Sequence, residues 1–295
     1  MTAPFDIDQL PTGDAMRLSP LVTRVLAPNP SLFTYTGTQS YVVGQGKVAI
    51  VDPGPAEDRH LDALIAAIAD RPVTAILCTH THRDHSPAAA PLARRTGAPV
   101  IGCAPLTLRD DGPRADAAFD ADYQPDEILT TAGMVTGDGW TLRAVATPGH
   151  TSNHLCFELA EEKALFTGDH VMGWSTSVVS PPDGNMTDYM ESMQTLLDRD
   201  DIVYYPAHGE SVPEPQRLVR GMMGHRKQRE GQILRLINAG EQGAEIPVMV
   251  AEMYKGIDSR LHPAAGRSIL AHLFDLRQRG LAEHVSGDMW RGASK

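Results

Sequence analysis

Hydrophobic residues occur in two patterns along the chain, one typical of strands and the other of helices. Residues 73–79 form an almost continuous apolar run of strand length. Residues 60–69 instead place their apolar side chains on one helical face. Residues 87–95 predict another helix, with Ser86 as its N-cap and Pro87 at its first position. This alternation of strands and helices predicts an α/β layering.

A second helical pattern fills the C-terminal part of the chain. Three segments with helical periodicity are followed by one strand-like tail, at residues 214–236, 247–254, 263–279 and 281–285. Three helices and a short strand predict a winged helix. We therefore expect a large domain of residues 1–213 and a small domain of residues 214–295.

The densest group of metal-binding side chains stands directly after the apolar run 75–78. It reads His80-Thr81-His82-Arg83-Asp84-His85, which places three imidazoles and one carboxylate within a short stretch. Imidazole and carboxylate suit zinc and similar cations. A polar turn rich in histidine by chance is the alternative, but this order of residue types is rare in a chain with 12 His among 295 residues. The spacing predicts a metal site at the end of a strand.

Three further candidate ligands share this local setting. Each follows a short apolar segment and has Gly or Pro close beside it. These candidates are His150, Asp169 and His208. A single histidine of this kind is more often a surface or core residue. Four similar positions in one chain instead indicate ligands on loops at one edge of a sheet, where a rigid scaffold positions them.

Together these motifs resemble the metallo-β-lactamase superfamily. The chain carries that family's His-x-His-x-Asp-His sequence, followed by a Gly-His, a Gly-Asp and a closing His beside Gly. Within the superfamily it is most similar to the lactamase-β-2-like group, and the likeness covers about residues 20 to 285. The resemblance implies an α+β fold, in which a four-layer αβ/βα sandwich carries a small C-terminal winged-helix domain.

The resemblance also implies how the ligands divide between two metal ions. His80, His82 and His150 would bind the first ion, Asp84, His85 and His208 the second, and Asp169 would bridge them. Two cations a few ångströms apart repel each other, so a shared anion is needed, and a carboxylate with a hydroxide would supply it. We expect two Zn²⁺ ions, with iron or manganese as alternatives that the same ligands accept.

A zinc-dependent hydrolase follows from such a site. A hydroxide that bridges the metals would attack the substrate, with Asp84 and Asp169 as catalytic residues. True β-lactamases of the superfamily generally lack a bridging carboxylate. The resemblance is instead to the glyoxalase II, phosphodiesterase and ribonuclease branches, which argues against antibiotic hydrolysis as the main activity.

Three functions remain open at this point. The leading one is hydrolysis of a small ester or thioester, and the alternative is a phosphodiesterase or endoribonuclease acting on single-stranded RNA. A non-catalytic winged-helix protein with a structural metal is the third, which the seven-ligand set disfavours because structural sites usually close with four ligands.

The segment after Asp169 is expected to line the substrate cleft, since it starts at the metal site. It combines an aromatic side chain with hydroxyl groups, and a purely structural role is the alternative. The predicted substrate-binding residues are Trp174, Ser175, Thr176 and Ser177. His154 and His170 are expected to support the ligands or to act as spacers rather than to bind metal.

The two predicted domains differ in charge. Residues 214–295 hold 13 Lys and Arg against 9 Asp and Glu, whereas residues 1–213 hold 13 against 28. An acidic catalytic domain repels polyanions at long range, which favours a small substrate over RNA. The C-terminal domain would then pack on the catalytic domain, wall one side of the cleft or support a homodimer. Its arginine-containing first helix leaves nucleic-acid binding open.

The remaining features favour a cytoplasmic protein that does not contact membranes. No stretch approaches the ~18 apolar residues of a membrane span, and the N-terminus has no signal-peptide pattern. Cys78, Cys103 and Cys156 have apolar neighbours and are expected to be reduced core residues. Residues 109–123 are acidic and turn-rich, which predicts a solvated excursion or a flap near the site.

Overall fold

Two mixed β-sheets pack face to face, and helices cover their outer faces. The computed structural model describes residues 11–106, 119–256 and 258–293. A seven-stranded and a five-stranded sheet form the large part of the molecule, and a small three-stranded sheet belongs to the C-terminal part. The predicted four-layer αβ/βα sandwich with a winged helix is confirmed.

The first sheet contains seven strands in sequential order. They are β1 (Ala15–Arg17), β2 (Val22–Leu26), β3 (Gln39–Val43), β4 (Val48–Val51), β5 (Val73–Cys78), β6 (Val100–Gly102) and β7 (Glu127–Ile128). The first four strands are antiparallel, and β4 to β7 are parallel. Helix α1 (Asp58–Ile68) connects β4 to β5, and α2 (Ala89–Thr96) connects β5 to β6. Parallel neighbours place the carboxyl ends of β4, β5 and β6 at one edge.

The second sheet has the strand order β12-β11-β10-β9-β8. Its strands are β8 (Met134–Gly137), β9 (Trp140–Ala146), β10 (Leu155–Leu159), β11 (Ala164–Gly168) and β12 (Val203–Pro206). Only the β11–β12 pair of this sheet is parallel, and helix α3 (Met186–Leu197) lies in the connection between them. The carboxyl ends of these two strands therefore also lie side by side.

Apolar side chains of both sheets interlock in one core. Leu77 of β5 and Phe166 of β11 are buried in the same cluster, together with Phe157 of β10. The opposite face of the second sheet packs under α3 and the start of α4 (Pro215–Ile237) in a separate cluster. This burial of both faces explains why the central strands are nearly continuous apolar runs in the sequence.

The C-terminal part is a winged helix that shares its first helix with the rest of the molecule. It consists of α4, α5 (Ile246–Met253), α6 (His262–Gln278), β13 (Ala244–Glu245), β14 (Ala282–Ser286) and β15 (Met289–Gly292). Val219 and Met222 of α4 pack beneath the second sheet, whereas Ile233 and Ile237 pack with α5 and α6. The predicted helices agree with these bounds within about two residues at most ends. The division after residue 213 stays a prediction.

Two local expectations were wrong. Helix α2 begins at Ala89 with Ala88 as its N-cap, so Ser86 does not cap it. The Ser86 hydroxyl is engaged elsewhere, because it donates a hydrogen bond of 2.9 Å to Oδ2 of Asp120. Tyr123, predicted to lie in a solvated excursion, is 4% exposed and belongs to the core. Residues 109–118 of that excursion lie outside the described residues.

The three cysteines are free and buried, as expected. Burial raises the pKa of Cys103 and of Cys156 to about 12, so these thiols stay protonated at neutral pH. Among the helices in the described ranges, none combines the length and the apolar character that crossing a bilayer requires.

Replacement of Leu77 tests whether the core between the sheets carries the stability. Leu77 is 0% exposed, so Leu77→Ala leaves a cavity and should lower the free energy of unfolding by about 2–5 kcal/mol. Leu281, which is 43% exposed, is the matched control, and Leu281→Ala should cost less than about 1 kcal/mol. Urea denaturation measures both, and equal losses would contradict the assignment of the core.

Candidate metal centre

The candidate ligands meet because each follows the end of a strand. His80 stands two residues after β5, Asp169 directly follows β11, and His208 stands two residues after β12. His150 lies in the turn after β9. The two sheets face each other, so these strand ends converge on one edge of the sandwich. The structure brings all seven predicted ligands together there.

Three imidazoles form the first group. Nε2 of His80 lies 3.0 Å from Nδ1 of His82, and Nε2 of His150 lies 3.1 Å from the same atom. With Asp169, the ligand atoms of this group all lie within 4.8 Å of one another. Three ring nitrogens that converge on one point fit the imidazole side of a tetrahedral zinc site.

Asp84, His85 and His208 form the second group. Oδ2 of Asp84 lies 3.1 Å from Nε2 of His208 and 3.4 Å from Nε2 of His85. Asp84 and His85 are neighbours in the sequence of His80 and His82, yet they belong to a different group. The turn that follows β5 therefore supplies ligands to both groups.

Asp169 lies between the two groups. Its Oδ1 is 3.2 Å from Nε2 of His208 and 3.5 Å from Nε2 of His85, whereas its Oδ2 is 3.7 Å from Nε2 of His150. One carboxylate oxygen thus faces each group. Asp169 is therefore the residue through which the two groups meet.

Hydrogen bonds on the far side of the rings fix their orientation. Nδ1 of His150 donates to the carbonyl oxygen of Val178 at 2.6 Å, and Nδ1 of His208 lies 3.2 Å from that of Gly37. Nδ1 of His80 lies 3.0 Å from the hydroxyl of Thr79. Because these partners occupy Nδ1, the Nε2 lone pair of each ring is left to point into the site.

Asp52 is a functional residue for which the sequence suggested no role. It follows β4, and its carboxylate accepts 2.8 Å hydrogen bonds from the backbone N–H and from the hydroxyl of Thr79. The same carboxylate lies 3.0 Å from Nδ1 of His85. Asp52 is 2% exposed and has a positive φ of 48°, a conformation that is strained for a residue other than glycine. An acidic residue directly after a buried parallel strand was the available signal.

The pKa shifts of the candidate ligands distinguish those that are neutral from those that are charged at neutral pH. Burial and the nearby imidazoles lower the pKa of His80, and they lower the pKa of His82 to about 3, so both rings stay neutral. Burial would raise the pKa of Asp84 and of Asp169, but the adjacent histidines outweigh it and lower both. Burial lowers the pKa of His208, but Asp169 and Asp84 raise it to about 10. The site therefore stabilises positive charge between its carboxylates.

The donor set fits divalent metal ions. Nε2 of His85 and Oδ1 of Asp169 are buried and have no hydrogen-bond partner among the described residues. Buried polar atoms without a partner are costly, and a shared cation would satisfy both. His80 and His82 as neutral imidazoles, and Asp84 and Asp169 as carboxylates, are in the forms that bind metal, whereas His208 would release its proton when an ion binds.

Gly168 allows the close approach of the two sheets at this point. Its φ is +48°, and a Cβ there would lie 2.6 Å from the hydroxyl of Thr79 and 2.7 Å from Nε2 of His154. A larger residue would therefore clash with Thr79 and His154 beside Asp169. The backbone N–H of Asp169 donates to Nε2 of His154 at 3.3 Å, so His154 supports a ligand, as its position suggested.

His170 points away from the ligands. Its ring packs 4.6 Å from the ring of Tyr189, and burial lowers its pKa to about 3. Neither ring nitrogen has a hydrogen-bond partner among the described residues. It acts as a spacer behind the site.

A cleft of about 440 Å³ opens onto the ligands. His82, Asp84, His150, Asp169 and His208 line its inner end. Its apolar walls include Leu32, Phe33, Met172, Trp174, Leu261 and Ala264. Leu261 and Ala264 belong to the C-terminal part, which therefore walls one side of the cleft, one of the roles that the sequence left open.

The four predicted substrate-binding residues divide into two pairs. Trp174 and Ser175 line the cleft, and the Trp174 ring stacks on that of Tyr35 with centroids 4.8 Å apart. Thr176 does not line the cleft. Ser177 is 2% exposed, and its hydroxyl donates to the carbonyl oxygen of His170 at 2.9 Å, so it holds the loop instead. Only Trp174 and Ser175 are kept as candidate substrate contacts.

A largely buried cluster of His and Asp side chains at the edge of an αβ/βα sandwich is the kind of site that can bind metal ions. The chain belongs to the metallo-β-lactamase superfamily, because residues 34–208 match that family. Residues 246–290 match the β-lactamase associated winged helix domain. The protein is accordingly a hydrolase of the metallo-β-lactamase fold with a His and Asp cluster that fits a metal site.

Proteins of known name are similar over most of the chain. A lactamase-like protein, ptaB of Pestalotiopsis fici, is 30% identical over 86% of this chain and 79% of its own length. The atrochrysone carboxyl ACP thioesterase of Claviceps purpurea is 31% identical over 83% of this chain and 75% of its own length. AgnL7 of Paecilomyces divaricatus, which has the same description, is 30% identical over 96% of this chain and 87% of its own length.

Solved structures share the whole architecture. A β-lactamase domain protein from Burkholderia ambifaria has a TM-score of 0.78 at 21% identity and covers 98% of this chain and 96% of its own. A metallo-β-lactamase family protein from Thermus thermophilus has a TM-score of 0.74 at 20% identity, with 94% and 100% covered. At about 20% identity, the similarity to these two structures supports the fold alone.

Replacement of Asp52 tests whether it orients the second group of ligands. Asp52→Ala removes the acceptor for Nδ1 of His85 and for Thr79, so the affinity for zinc should fall by about 10–100-fold. Competition with a chromophoric chelator measures this affinity. Asp62→Ala, which removes an exposed ion pair with Arg95, is the control and should leave it unchanged. Equal zinc affinity in Asp52→Ala and the wild type would show that Asp52 has no such role.

Proposed function

We propose that the protein is a thioesterase that uses two zinc ions to hydrolyse a thioester with a large apolar acyl group. The observation that carries this proposal is the cleft, which is lined both by residues of the two ligand groups and by apolar side chains. Relatives described as ACP thioesterases support the choice of a thioester over other substrates.

The ligand groups would bind the two ions as the sequence suggested. His80, His82 and His150 would hold one, Asp84, His85 and His208 would hold the other, and Asp169 would contact both. When bound, two divalent ions would supply a water acidic enough to lose its proton near neutral pH and positive charge for the carbonyl oxygen of the substrate. Iron and manganese are alternatives that these ligands also accept.

The protein's own residues would orient the substrate. The thioester carbonyl would lie beside Asp84 and Asp169 at the inner end of the cleft, and the acyl group would pack against Trp174 and Leu261. In hydrolysis the carbon–sulfur bond breaks and a carbon–oxygen bond forms, which gives a carboxylic acid and a thiol. The carboxylate of Asp84 is placed to hold a proton during this exchange, since it lines the cleft.

The alternative of single-stranded RNA cleavage has less support. The cleft walls are mostly apolar, whereas RNA binding requires cations along a phosphate path and surfaces on which bases stack. Residues 1–213, which hold the ligands, carry 28 acidic against 13 basic residues. RNA is therefore not included as a partner in the proposal, and the homodimer and the cytoplasmic location stay predictions.

A substrate panel tests the proposed reaction. The zinc-loaded full chain should release thiol from aromatic and long-chain acyl thioesters, and it should leave single-stranded RNA and a β-lactam intact. Asp169→Ala should lower kcat/KM for the thioester by at least about 100-fold, because the shared ligand is lost. Asp70→Ala, an exposed carboxylate outside the cleft, should leave the rate unchanged. Faster cleavage of RNA than of every thioester would refute the proposal.

A second substitution tests the apolar wall. Ala264→Phe would fill part of the acyl end of the cleft, so KM for a large aromatic acyl thioester should rise by about 10-fold or more. KM for an acetyl thioester should change little, because a short acyl group does not reach that wall. Gln278→Phe, at an exposed position of the same helix, is the matched control. Equal changes in KM for both substrates would show that the acyl group does not bind against Ala264.

A further inference from the structure

Two arginines of the C-terminal part hold the loop that leaves the metal centre. Nη2 of Arg226, on α4, donates to the carbonyl oxygen of Ser177. Nη2 of Arg267, on α6, donates to the carbonyl oxygen of Pro181, and its Nε lies 3.5 Å from the hydroxyl of Ser180. The C-terminal helices thus contact this loop at two points that lie four residues apart.

Arg226 is an unusual residue for such a contact, because it is only 4% exposed. Among the described residues it forms no ion pair, its Nε has no hydrogen-bond partner, and its guanidinium lies 5.1 Å from the ring of Tyr189. Nη1 has a long contact of 3.4 Å with the hydroxyl of Ser268. A buried cation without an acidic partner is costly, so the Ser177 carbonyl is a principal compensation for its burial.

The residue after Ser177 touches a candidate ligand. The carbonyl oxygen of Val178 accepts the 2.6 Å hydrogen bond from Nδ1 of His150. On the other side, the carbonyl oxygen of His170, next to Asp169, accepts from the hydroxyls of Ser177 and Tyr189 at 2.9 and 3.1 Å. The same short loop therefore connects the arginine contacts to the orientation of His150 and to the position of Asp169.

We propose that Arg226 and Arg267 are positioning residues through which the C-terminal winged helix sets the metal affinity of the catalytic domain. They hold the backbone at Ser177 and Pro181, which keeps the Val178 carbonyl directed at His150. This inference rests on the proposed metal centre and adds a role for the winged helix that is distinct from its wall of the cleft. A contact that served only to join the two parts would affect stability and leave metal affinity unchanged.

The chain offers a matched control on the same helix. Arg229 also donates to a backbone carbonyl, that of Met253, at 2.9 Å, and its guanidinium lies 4.5 Å from the ring of Tyr254. These two partners, and the side chains of His225 and Gln232 to which Arg229 also donates, all lie within the winged helix. Arg226→Met and Arg229→Met therefore remove the same kinds of contact, but only the first removes a contact with the loop.

The zinc affinity of the full chain distinguishes a role of Arg226 in positioning His150 from a role in joining the two parts of the molecule. Competition with a chromophoric chelator should show that Arg226→Met binds one of its ions about 10-fold more weakly than the wild type. Arg229→Met should bind zinc as the wild type does, even where its melting temperature falls. Arg226→Lys keeps a cation that can donate to Ser177 and should recover part of the loss. Cobalt-loaded Arg226→Met should also show an altered visible absorption band, because the orientation of His150 changes.

The outcomes are distinct. Unchanged zinc affinity and an unchanged cobalt spectrum in folded Arg226→Met would overturn the inference, as would an equal loss of affinity in Arg229→Met. If Arg226→Met does not fold by circular dichroism, then Arg267→Met, which loses the contact with Pro181, decides on the same readouts. Failure of the wild type to bind two ions would instead refute the proposed function, and this is measured before any variant is compared.

Discussion

The carboxylate of Asp52 ties together the ends of two neighbouring parallel strands, and the order of the ligand cluster depends on that contact. Asp52 follows β4, Thr79 follows β5, and one carboxylate satisfies the backbone and hydroxyl of Thr79 while it also contacts His85. Because the turn from His80 to His85 starts at this point, its four ligands leave the sheet in a fixed direction. The strained backbone of Asp52 is tolerated since these hydrogen bonds compensate for it. The polar contacts of one buried side chain thus hold the start of the turn that supplies ligands to both groups.

The sequence predicted those parts of the molecule that have a local signature. The strand β5 and the helices α1, α4 and α6 follow from the spacing of their apolar residues, and their bounds agree closely with the structure. The ligands His150, Asp169 and His208 were recognisable because each combines a metal-binding side chain with a preceding strand and a neighbouring glycine or proline. Their division between two groups came from resemblance to a known family, since no local pattern shows that Asp84 and His80 face different partners.

Other features depend on contacts between distant parts of the chain, and these could not be predicted. Arg226 was one of several arginines on a helix, and nothing in its spacing distinguishes the one that reaches Ser177, 49 residues earlier in the chain. Tyr123 is buried although its neighbours in the sequence are acidic, because the chain returns to the core at that point. Leu261 directly precedes a helix of the winged domain, and only the packing of that domain brings it to the cleft. In each case the tertiary arrangement, rather than the local sequence, decides the role of the side chain.

Helix α4 has 23 residues, and its two halves belong to two different cores. Each residue of an α-helix advances the chain by about 1.5 Å and rotates it by about 100°. One inserted residue in the middle of α4 would therefore turn the whole winged helix by more than a quarter of a circle about the catalytic domain. Such a change would carry Leu261 and Ala264 away from the cleft and would separate Ala271 of α6 from the core beneath the second sheet. The number of residues in α4 therefore sets the angle at which the winged helix faces the cleft, although α4 itself contributes no residue to the cleft lining.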